Sequence, residues 1–272
     1  MRTVAFSRFP PAQRRAFRPV HDALAICGRN LIAFYRVPRL LVFSTIQPLV
    51  FVFLFRYVFG GVAALAIPGI PYVDFLMPGV FVQVAVFGAM NTAVGLASDL
   101  QSGLLERFAS LPMARSAVLA GRTLADLTRN VFVVTLMVTV GFAVGFRTHL
   151  GIASFLAGML LVLLFGFAMS WIFAVVGLAV GDPETAQAAA FPVMAPLVFA
   201  SSAFIPVRTM PGWLQAFASH QPVSATASAV RALMLGGPTR TDLLHCLAWL
   251  VGIVIVFAPL GAWRYRHAMS GS

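Results

Sequence analysis

Long apolar runs separated by short polar segments dominate this chain. A helix needs roughly 20 residues to cross a hydrocarbon core of about 30 Å, and six runs meet or approach that length. Their residues are apolar all round rather than alternately polar and apolar, which favours helices over the strands of a membrane barrel. The pattern predicts an all-α integral membrane fold with six transmembrane helices, at about 40–59, 75–98, 128–146, 152–180, 188–205 and 243–263.

These runs divide the chain into three parts. Residues 1–39 are predicted to be a basic cytoplasmic tail that includes an amphipathic helix from Asp22 to Arg36, suited to lying in the membrane interface. Residues 40–263 form the transmembrane domain, and 264–272 form a second tail. Eight of the 19 basic residues fall in 1–39. Because arginine-rich flanks stay on the cytoplasmic side, both termini are predicted to be cytoplasmic.

The longest polar interruption, residues 99–130, is predicted to carry a short amphipathic helix. Leucine and phenylalanine recur there at helical spacing, while Glu106 and Arg107 lie off the apolar face. Pro112 lacks the N–H group that a continuing helix needs. A short helix that stops sharply and presents one apolar face is typical of a docking element. Its predicted contact residues are Leu104, Leu105, Glu106, Arg107, Phe108, Leu111, Pro112 and Arg115.

A second helix is predicted to follow, capped by Ser116 and continuous with the third apolar run. Arg122 and Asp126 are four residues apart, and Asp126 and Arg129 are three apart. These are the spacings at which side chains pair on one helix face. The docking element would therefore connect to the membrane through a single rigid helix.

Two amides interrupt the second apolar run. Gln83 and Asn91 are eight residues apart and share a helix face. Because amides in lipid need hydrogen-bond partners, this face is predicted either to contact another helix or to line a transport pathway, and both alternatives stay open. The preceding residues, 60–72, contain paired glycines and prolines and predict a loop. Glycines in the fourth run predict close helix packing.

The segment between the fifth and sixth runs is amphipathic, but no part of it is long enough to span a membrane. Pro211 predicts the start of one short helix. Ser224 predicts the cap of another, which ends at Gly236. The residues singled out on these two helices are Trp213, Leu214, Phe217 and Arg231.

Composition excludes several kinds of active site. Every basic residue is arginine, so the chain lacks the lysine with which a P-loop holds ATP phosphates. The five histidines are dispersed, no HExxH or GxSxG motif occurs, and no acid falls inside a predicted run. Cys27 and Cys246 suggest neither a disulfide nor a metal, and Asp182 and Glu184 are expected to be solvated. We therefore expect no catalytic, cofactor-binding or metal-binding residues on this chain.

Three stretches resemble a known family. They are LERFASLPMARSAVLAGRTLADLTRN in the polar interruption, YVDFLMPGV at 72–80, and FIPVRTMPGWLQAFASHQPVSATASAVRALMLGG at 204–237. Together they resemble ABC exporter permeases of the type-2, daunorubicin-resistance class. The resemblance implies a bacterial cell-membrane protein with re-entrant half-helices on its outer side. It also implies efflux of amphiphilic drugs or lipids, driven by a separate ATPase that carries ATP and Mg²⁺.

Two functions from different classes are compatible with these observations. The first is a permease subunit: a six-helix half of a dimer, with an ABC ATPase docked on 99–130. Its second half would be another copy or a sister permease, and the sequence leaves that choice open. The alternative is an integral-membrane enzyme that modifies lipids, which would need a catalytic constellation. Transport is favoured because no such constellation occurs. Nucleic acid is not an expected partner, because the net charge of +11 follows the arginine-rich flanks.

Overall fold

The computed structural model describes residues 38–65, 67, 69–103 and 115–268, and its regular elements there are all helical. A π-helical turn, Leu54–Val58, extends the first helix, and a 3-10 turn, Val207–Thr209, precedes the seventh. The helices in chain order are α1 Pro38–Phe53, α2 Gly60–Leu65, α3 Tyr72–Gln101, α4 Arg115–Val144, α5 Ile152–Val180, α6 Pro183–Phe199, α7 Gly212–His220, α8 Pro222–Leu235 and α9 Thr239–Ala268.

Four helices among the described residues are long and apolar enough to cross a membrane. They correspond to four of the six predicted runs: Tyr72–Gln101, Asp126–Val144, Ile152–Val180 and Thr239–Tyr265. The first predicted run contains the shorter apolar helix Ile46–Val58. The fifth contains α6, which has 17 residues and holds Pro192 and Pro196. An all-α membrane fold is confirmed, while the full count of six stays a prediction.

The bundle is organised around α3. Most of its residues are buried, because α4, α5, α6 and α8 all pack against it. Small residues allow these close approaches: a methyl group on Gly79 would overlap the backbone of Ala203, and one on Gly177 would overlap the backbone of Ala93. The predicted use of glycine for packing in the fourth run is confirmed at Gly177.

Apolar side chains also cover much of the outside of the bundle. On α5 they recur at intervals of four residues, which places them on one helix face. A stripe of large exposed apolar side chains is expected where a helix meets lipid rather than water. The stripe on α5 consists of Ile152, Leu156, Leu160 and Leu164.

The helix ends define two sides of the molecule. On the loop side, α3 ends at Gln101 and α4 begins at Arg115, and the Gln101 Nε2 donates to Asp182 Oδ1 at 3.3 Å. On the far side, the Tyr72 hydroxyl donates to the carbonyl of Phe204 at 3.0 Å, and the N–H of His149 donates to the carbonyl of Met234 at 3.0 Å.

Two local predictions were wrong. The residues from Gly60 to Leu65 form the short helix α2 instead of a loop, because the alanines and leucine that follow the paired glycines favour helix. Ser224 does not cap α8, because Pro222, whose fixed φ suits the first turn of a helix, starts it two residues earlier. The Ser224 hydroxyl instead accepts a 2.9 Å hydrogen bond from the N–H of Ser202.

Candidate functional site

A charged cluster joins α3 to α4 inside the helix bundle. Asp126 on α4 accepts a 2.7 Å hydrogen bond from the Thr92 hydroxyl on α3, and its other oxygen lies 3.6 Å from Arg129 Nη2. Arg129 also donates a 2.6 Å hydrogen bond to the carbonyl of Gly88. The cluster is almost dry, since Asp126 is 8% exposed. A buried charge needs such partners to offset its desolvation, so these contacts fix how α3 and α4 cross.

Asn130 lies beside this cluster, where three helices meet. Its amide fits against Gly88 on α3 and Gly166 on α5, and a methyl group on Gly88 would overlap the Asn130 side chain. The residue is 3% exposed. The amide therefore requires glycine at 88, where it occupies the space that the missing side chain leaves, and a methyl group on Gly166 would lie in tight contact with it, 3.1 Å from Nδ2.

A cavity of about 430 Å³ opens next to Asn130, between α1, α3, α4 and α6. Ligand pockets in proteins typically have volumes of about 300–1,000 Å³. Aromatic and sulfur-containing side chains from α3 and α6 form the apolar part of the wall. The polar part of the wall is formed by Gln47, Asn91, Arg129, Asn130 and Gln187.

A second buried carboxylate lies at the far side. Asp74, 1% exposed in the first turn of α3, accepts a 2.8 Å hydrogen bond from the N–H of Arg147 and lies 3.4 Å from His149 Nε2. Asp74 and Asp126 lie just before the predicted runs 75–98 and 128–146, but the spanning helices begin earlier than those runs and include both acids. Both carboxylates are stable there because hydrogen-bond donors from a neighbouring segment satisfy them.

Arg231 on α8 connects three segments of the far side. Its Nε donates to the carbonyl of Phe75 at 2.9 Å, and its Nη2 donates to the carbonyls of Ser202 and Ala203 at 2.5 and 2.8 Å. The guanidinium carbon lies 3.7 Å from the centroid of the Phe75 ring. The residue singled out on a predicted half-helix thus ties α8 to the start of α3 and to the chain after α6.

The turn between α5 and α6 gives a structural role to Asp182, one of the two carboxylates in its sequence. Gly181 ends α5 with a φ of 76°, which glycine adopts without strain. Asp182 then caps α6 by accepting from the hydroxyl and the N–H of Thr185, at 2.7 and 2.8 Å. These two hydrogen bonds hold the pKa of the Asp182 carboxyl below its usual value. The role of Asp182 is therefore structural.

The predicted site residues are found in different surroundings. Gln83 is fully buried, and its amide has no hydrogen-bond partner among the described residues. Asn91 lines the cavity and donates to the carbonyl of Phe87 at 3.0 Å. On α7, Trp213 is 76% exposed, Phe217 is also exposed and Leu214 is half-buried.

The predicted docking residues lie outside what the structure describes. Residues 104–114 are not described, and neither are the side chains of Arg115 and Arg122. Asp126 and Arg129 form the ion pair that their spacing predicts. The helix that follows the loop begins at Arg115 and continues unbroken to Val144, so its predicted continuity with the third run is confirmed.

Sequence reasoning missed most of the cavity. Polar residues inside apolar runs are costly in lipid and mark sites by default, and this signal was available for Asn130 and Thr92. Gln187 lies in the second turn of α6, near the end of a spanning run, where a polar residue is common. Gln47 lies near the middle of α1 and carried the same signal as Asn130. Asp74 precedes the second predicted run, so its position gave no sign of its burial.

Comparison with known proteins identifies the family. The sequence profile of the ABC-2 type transporter family matches residues 22–235. The chain is 37% identical over 267 residues to the daunorubicin resistance ABC transporter permease protein DrrB1 of Streptomyces coeruleorubidus, covering 98% of this chain and 93% of the relative.

More distant relatives carry the same kind of name. The probable doxorubicin resistance ABC transporter permease protein DrrC of Mycobacterium tuberculosis is 28% identical over 265 residues, which are 97% of this chain and 95% of the relative. The putative transport permease ycf38 of Porphyra purpurea is 25% identical over 230 residues, 82% of this chain and 77% of the relative. The lipid-modifying enzyme is therefore excluded. The chain belongs to the ABC-2 type transporter family and is a membrane-spanning permease subunit, with ATP hydrolysis on a separate polypeptide.

Proposed function

We propose that this permease exports amphiphilic drugs or lipids across a bacterial cell membrane. It works as one half of a dimer with a second copy or a sister permease. An ABC ATPase, which carries ATP and Mg²⁺, docks on residues 99–130 and drives the cycle. The names of the relatives support a drug as substrate, since DrrB1 and DrrC are named for resistance to daunorubicin and doxorubicin.

The unbroken course of α4 carries this proposal. The helix starts at Arg115, at the edge of the docking segment, and runs through Asp126 and Arg129 to Val144. A continuous helix transmits displacement along its axis, because its backbone hydrogen bonds resist local deformation. A shift at Arg115, where α4 begins, would therefore reach the Asp126 cluster and α3 without a break in the helix.

The docking surface is the apolar face predicted for residues 104–111. Leu104, Leu105, Phe108 and Leu111 would fill a groove on the ATPase, while Glu106 and Arg107 set the register at its rim. Pro112 ends the short helix, Arg115 belongs to the proposed docking surface, and Arg122 is proposed to pair with Asp126 on one face of α4. The sequence pattern supports this assignment, and residues 104–114 lie outside the described part.

The proposed topology has six spans and cytoplasmic termini. Residues 1–39 form the cytoplasmic tail and interfacial helix, 40–263 the transmembrane domain, and 264–272 the second tail. The helical stretch of α1 with its π-helical turn provides the first span, and α6 with the residues after it provides the fifth. The arginine-rich flanks support the orientation, because such flanks are retained on the cytoplasmic side.

Helices α7 and α8 are proposed to be the re-entrant pair on the outer side. They have 9 and 14 residues, both too short to span. Irregular chain at membrane depth is tolerated only where protein satisfies its polar groups, and Arg231 supplies donors to the carbonyls of Ser202 and Ala203. The exposed Trp213 would lie at the lipid headgroup level, which suits tryptophan.

The experiment uses inside-out vesicles that contain this chain with its ATPase, with the second permease added where one is required. Doxorubicin fluorescence reports uptake. We expect uptake that needs ATP and all subunits, and none in vesicles that contain this chain alone. Uptake of equal rate without the ATPase would contradict the proposal. A matched ATPase variant that binds but does not hydrolyse ATP separates assembly from turnover.

A further inference from the structure

We propose that a second cavity, of about 530 Å³, holds the hydrocarbon chain of a membrane lipid. The cavity lies between α5, α6, α9 and the hairpin of α7 and α8, so it is separate from the cavity at Asn130. The inference goes beyond the proposed export function, because this lipid would be a resident part of the fold and not a transported molecule. It is carried by the depth of the cavity, its contact with the lipid-facing surface and the apolar character of its wall.

This second cavity lies near half the height of the bundle. At about 1.5 Å per helical residue, Pro222 is roughly 20 Å from the far-side end of α8, and Ile253 is roughly 21 Å from the far-side end of α9. The helix α5, with 29 residues, is about 44 Å long on the same scale. Because the hydrocarbon core occupies about the central 30 Å of a bilayer, the cavity is at the depth of lipid chains and well below their headgroups.

The second cavity opens onto the surface that α9 presents to lipid. Leu247, Val251 and Ile255 are exposed at intervals of four residues, which places them on one helix face. Two aromatic side chains at the cavity, Trp249 on α9 and Phe217 on α7, are 36% and 44% exposed. A hydrocarbon chain in the surrounding bilayer could therefore enter the cavity without leaving the apolar phase.

Two polar side chains at this cavity, those of His220 and Gln221, bind backbone carbonyls. His220 Nδ1 lies 2.9 Å from the carbonyl of Ala216, and because a carbonyl only accepts, this nitrogen carries the hydrogen. Gln221 Nε2 donates to the carbonyl of Ala200 at 2.7 Å, and Gln221 Oε1 is enclosed by protein. Polar atoms contribute almost nothing to the surface of the cavity. A ligand there would therefore find hardly any hydrogen-bond partner.

A plain hydrocarbon chain suits this wall better than a ligand with polar groups. The hydroxyl or amine groups of an exported amphiphile, or the N–H groups of a peptide, would lose their hydrogen bonds in the cavity without replacement. A lipid chain carries no such group, and its headgroup stays in the interface. An empty cavity would forfeit the dispersion contacts of its lining. The chain would instead contact both Phe217 and Trp249, and so support the hairpin of α7 and α8 against α9.

The test uses Trp249 as a fluorescent reporter of the cavity, because bromine atoms on a lipid chain quench tryptophan on contact. The full chain with Trp171→Phe, Trp213→Phe and Trp263→Phe is reconstituted in bilayers of a phosphatidylcholine with bromine near the chain ends, and in the unbrominated lipid. Trp171→Phe should fold, since the indole N–H that it removes has no hydrogen-bond partner among the described residues. A second chain keeps Trp263 instead of Trp249, because Trp263 is 44% exposed on the same helix and does not line the cavity.

We expect the brominated chains to quench Trp249, and Ala216→Phe to lower this quenching, because Ala216 is exposed in the cavity wall and the added ring would fill the space. Ala216→Leu should lower it less, and it tests the site if Ala216→Phe folds poorly. Ala248→Phe is the matched control, since Ala248 is exposed on α9 and does not line the cavity. It should leave the quenching of Trp249 unchanged. In the chain that keeps Trp263, Ala216→Phe should have no effect.

Three outcomes would overturn the inference. If Ala216→Phe and Ala216→Leu left the quenching of Trp249 unchanged, only the surrounding lipid would reach this ring. If the brominated chains did not quench Trp249 in the unmodified wall, another protein chain, such as a second copy, would cover the cavity. If a phosphatidylglycerol with the same brominated chains gave a different result, the headgroup and not the hydrocarbon would determine binding. Because neither the ATPase nor export enters the measurement, the result is independent of the proposed function.

Discussion

The hydroxyl of Thr92 donates a 2.7 Å hydrogen bond to Oδ2 of Asp126, which joins α3 to α4 through a buried carboxylate. The same carboxylate pairs with Arg129, whose guanidinium returns to α3 at the Gly88 carbonyl. The contact between the two helices is therefore a closed ring of polar groups. Any relative sliding of α3 and α4 breaks at least one of these bonds inside an apolar surrounding.

This ring should be measurable as an energetic coupling. We expect a double-mutant cycle of Thr92→Val and Asp126→Ala to give a coupling of about 1 kcal/mol, since interhelical hydrogen bonds in membrane proteins contribute about 0.6 and at most 1.7 kcal/mol. Reversible unfolding in mixed micelles provides the measurement. Thr139→Val with Asp126→Ala is the control cycle, because Thr139 bonds to the Thr135 carbonyl of its own helix. If the two substitutions of the first cycle changed the free energy of unfolding additively, the hydrogen bond between Thr92 and Asp126 would be contradicted.

Close backbone contact between α3 and α5 gives a second prediction. Gly177→Ala should destabilise the fold by about 1–3 kcal/mol, the usual cost of overpacking, because the new methyl group would overlap the backbone of Ala93. Gly252→Ala on α9 is the control, since it meets open space, and alanine should favour the helix there. Unfolding in the same micelles compares them. Equal stability of the two variants would mean that α3 and α5 are farther apart.

The docking surface is tested by placing a charge on its apolar face. Phe108→Asp should abolish binding of the ATPase while the permease still inserts, because an unpaired carboxylate in a protein contact costs several kcal/mol. Leu104→Asp should behave alike, and Phe108→Leu is the control that keeps an apolar side chain. The measurement is co-purification of the ATPase, normalised to folded permease.

A substitution of Glu106, which is proposed to lie nearer the rim of the contact, should weaken ATPase binding less than Phe108→Asp does. Its effect should also depend more on the salt concentration, since exposed charges are screened. If a well-folded Phe108→Asp variant bound the ATPase normally, the docking surface would lie elsewhere. Loss of folded permease in the aspartate variants, with normal binding by the remainder, would instead place this face against lipid headgroups or against the chain itself.

Topology can be tested by labelling single cysteines in intact cells, in a chain whose Cys27 and Cys246 have been replaced. Pro10→Cys, Pro112→Cys and Ala268→Cys should be protected from an impermeant maleimide, because arginine-rich segments are retained inside. Leu65→Cys should react, since Leu65 is 84% exposed on the far side. Reaction of Pro112→Cys from outside would reverse the proposed orientation.

Periodicity predicted the long helices well, because hydrophobic length is a local property of the sequence. The fourth run was predicted at 152–180, and α5 is Ile152–Val180. The environment of a polar side chain is not local. The sequence places Gln83 and Asn91 on one face of the same helix, yet Gln83 is buried and Asn91 lines a cavity. The difference arises because the packing of α5 and α6 on α3 decides which part of that face is covered. Likewise, Asp74 is stabilised by donors more than 70 residues away, at Arg147 and His149.

The contacts of Arg231 determine which amino-acid substitutions this part of the protein tolerates. Its guanidinium binds the main-chain carbonyls of Phe75, Ser202 and Ala203, and every residue type carries a carbonyl. A substitution at 203 therefore leaves these contacts in place, provided that the new side chain leaves room for α3, whereas a substitution of Ser202 removes one further hydrogen bond, from Nη1 to its hydroxyl at 3.3 Å. The constraint falls on the path of the chain and on one arginine, which lysine cannot replace because it lacks the planar fork of donors. Sequence drift at position 203 would then be a poor guide to structural change there.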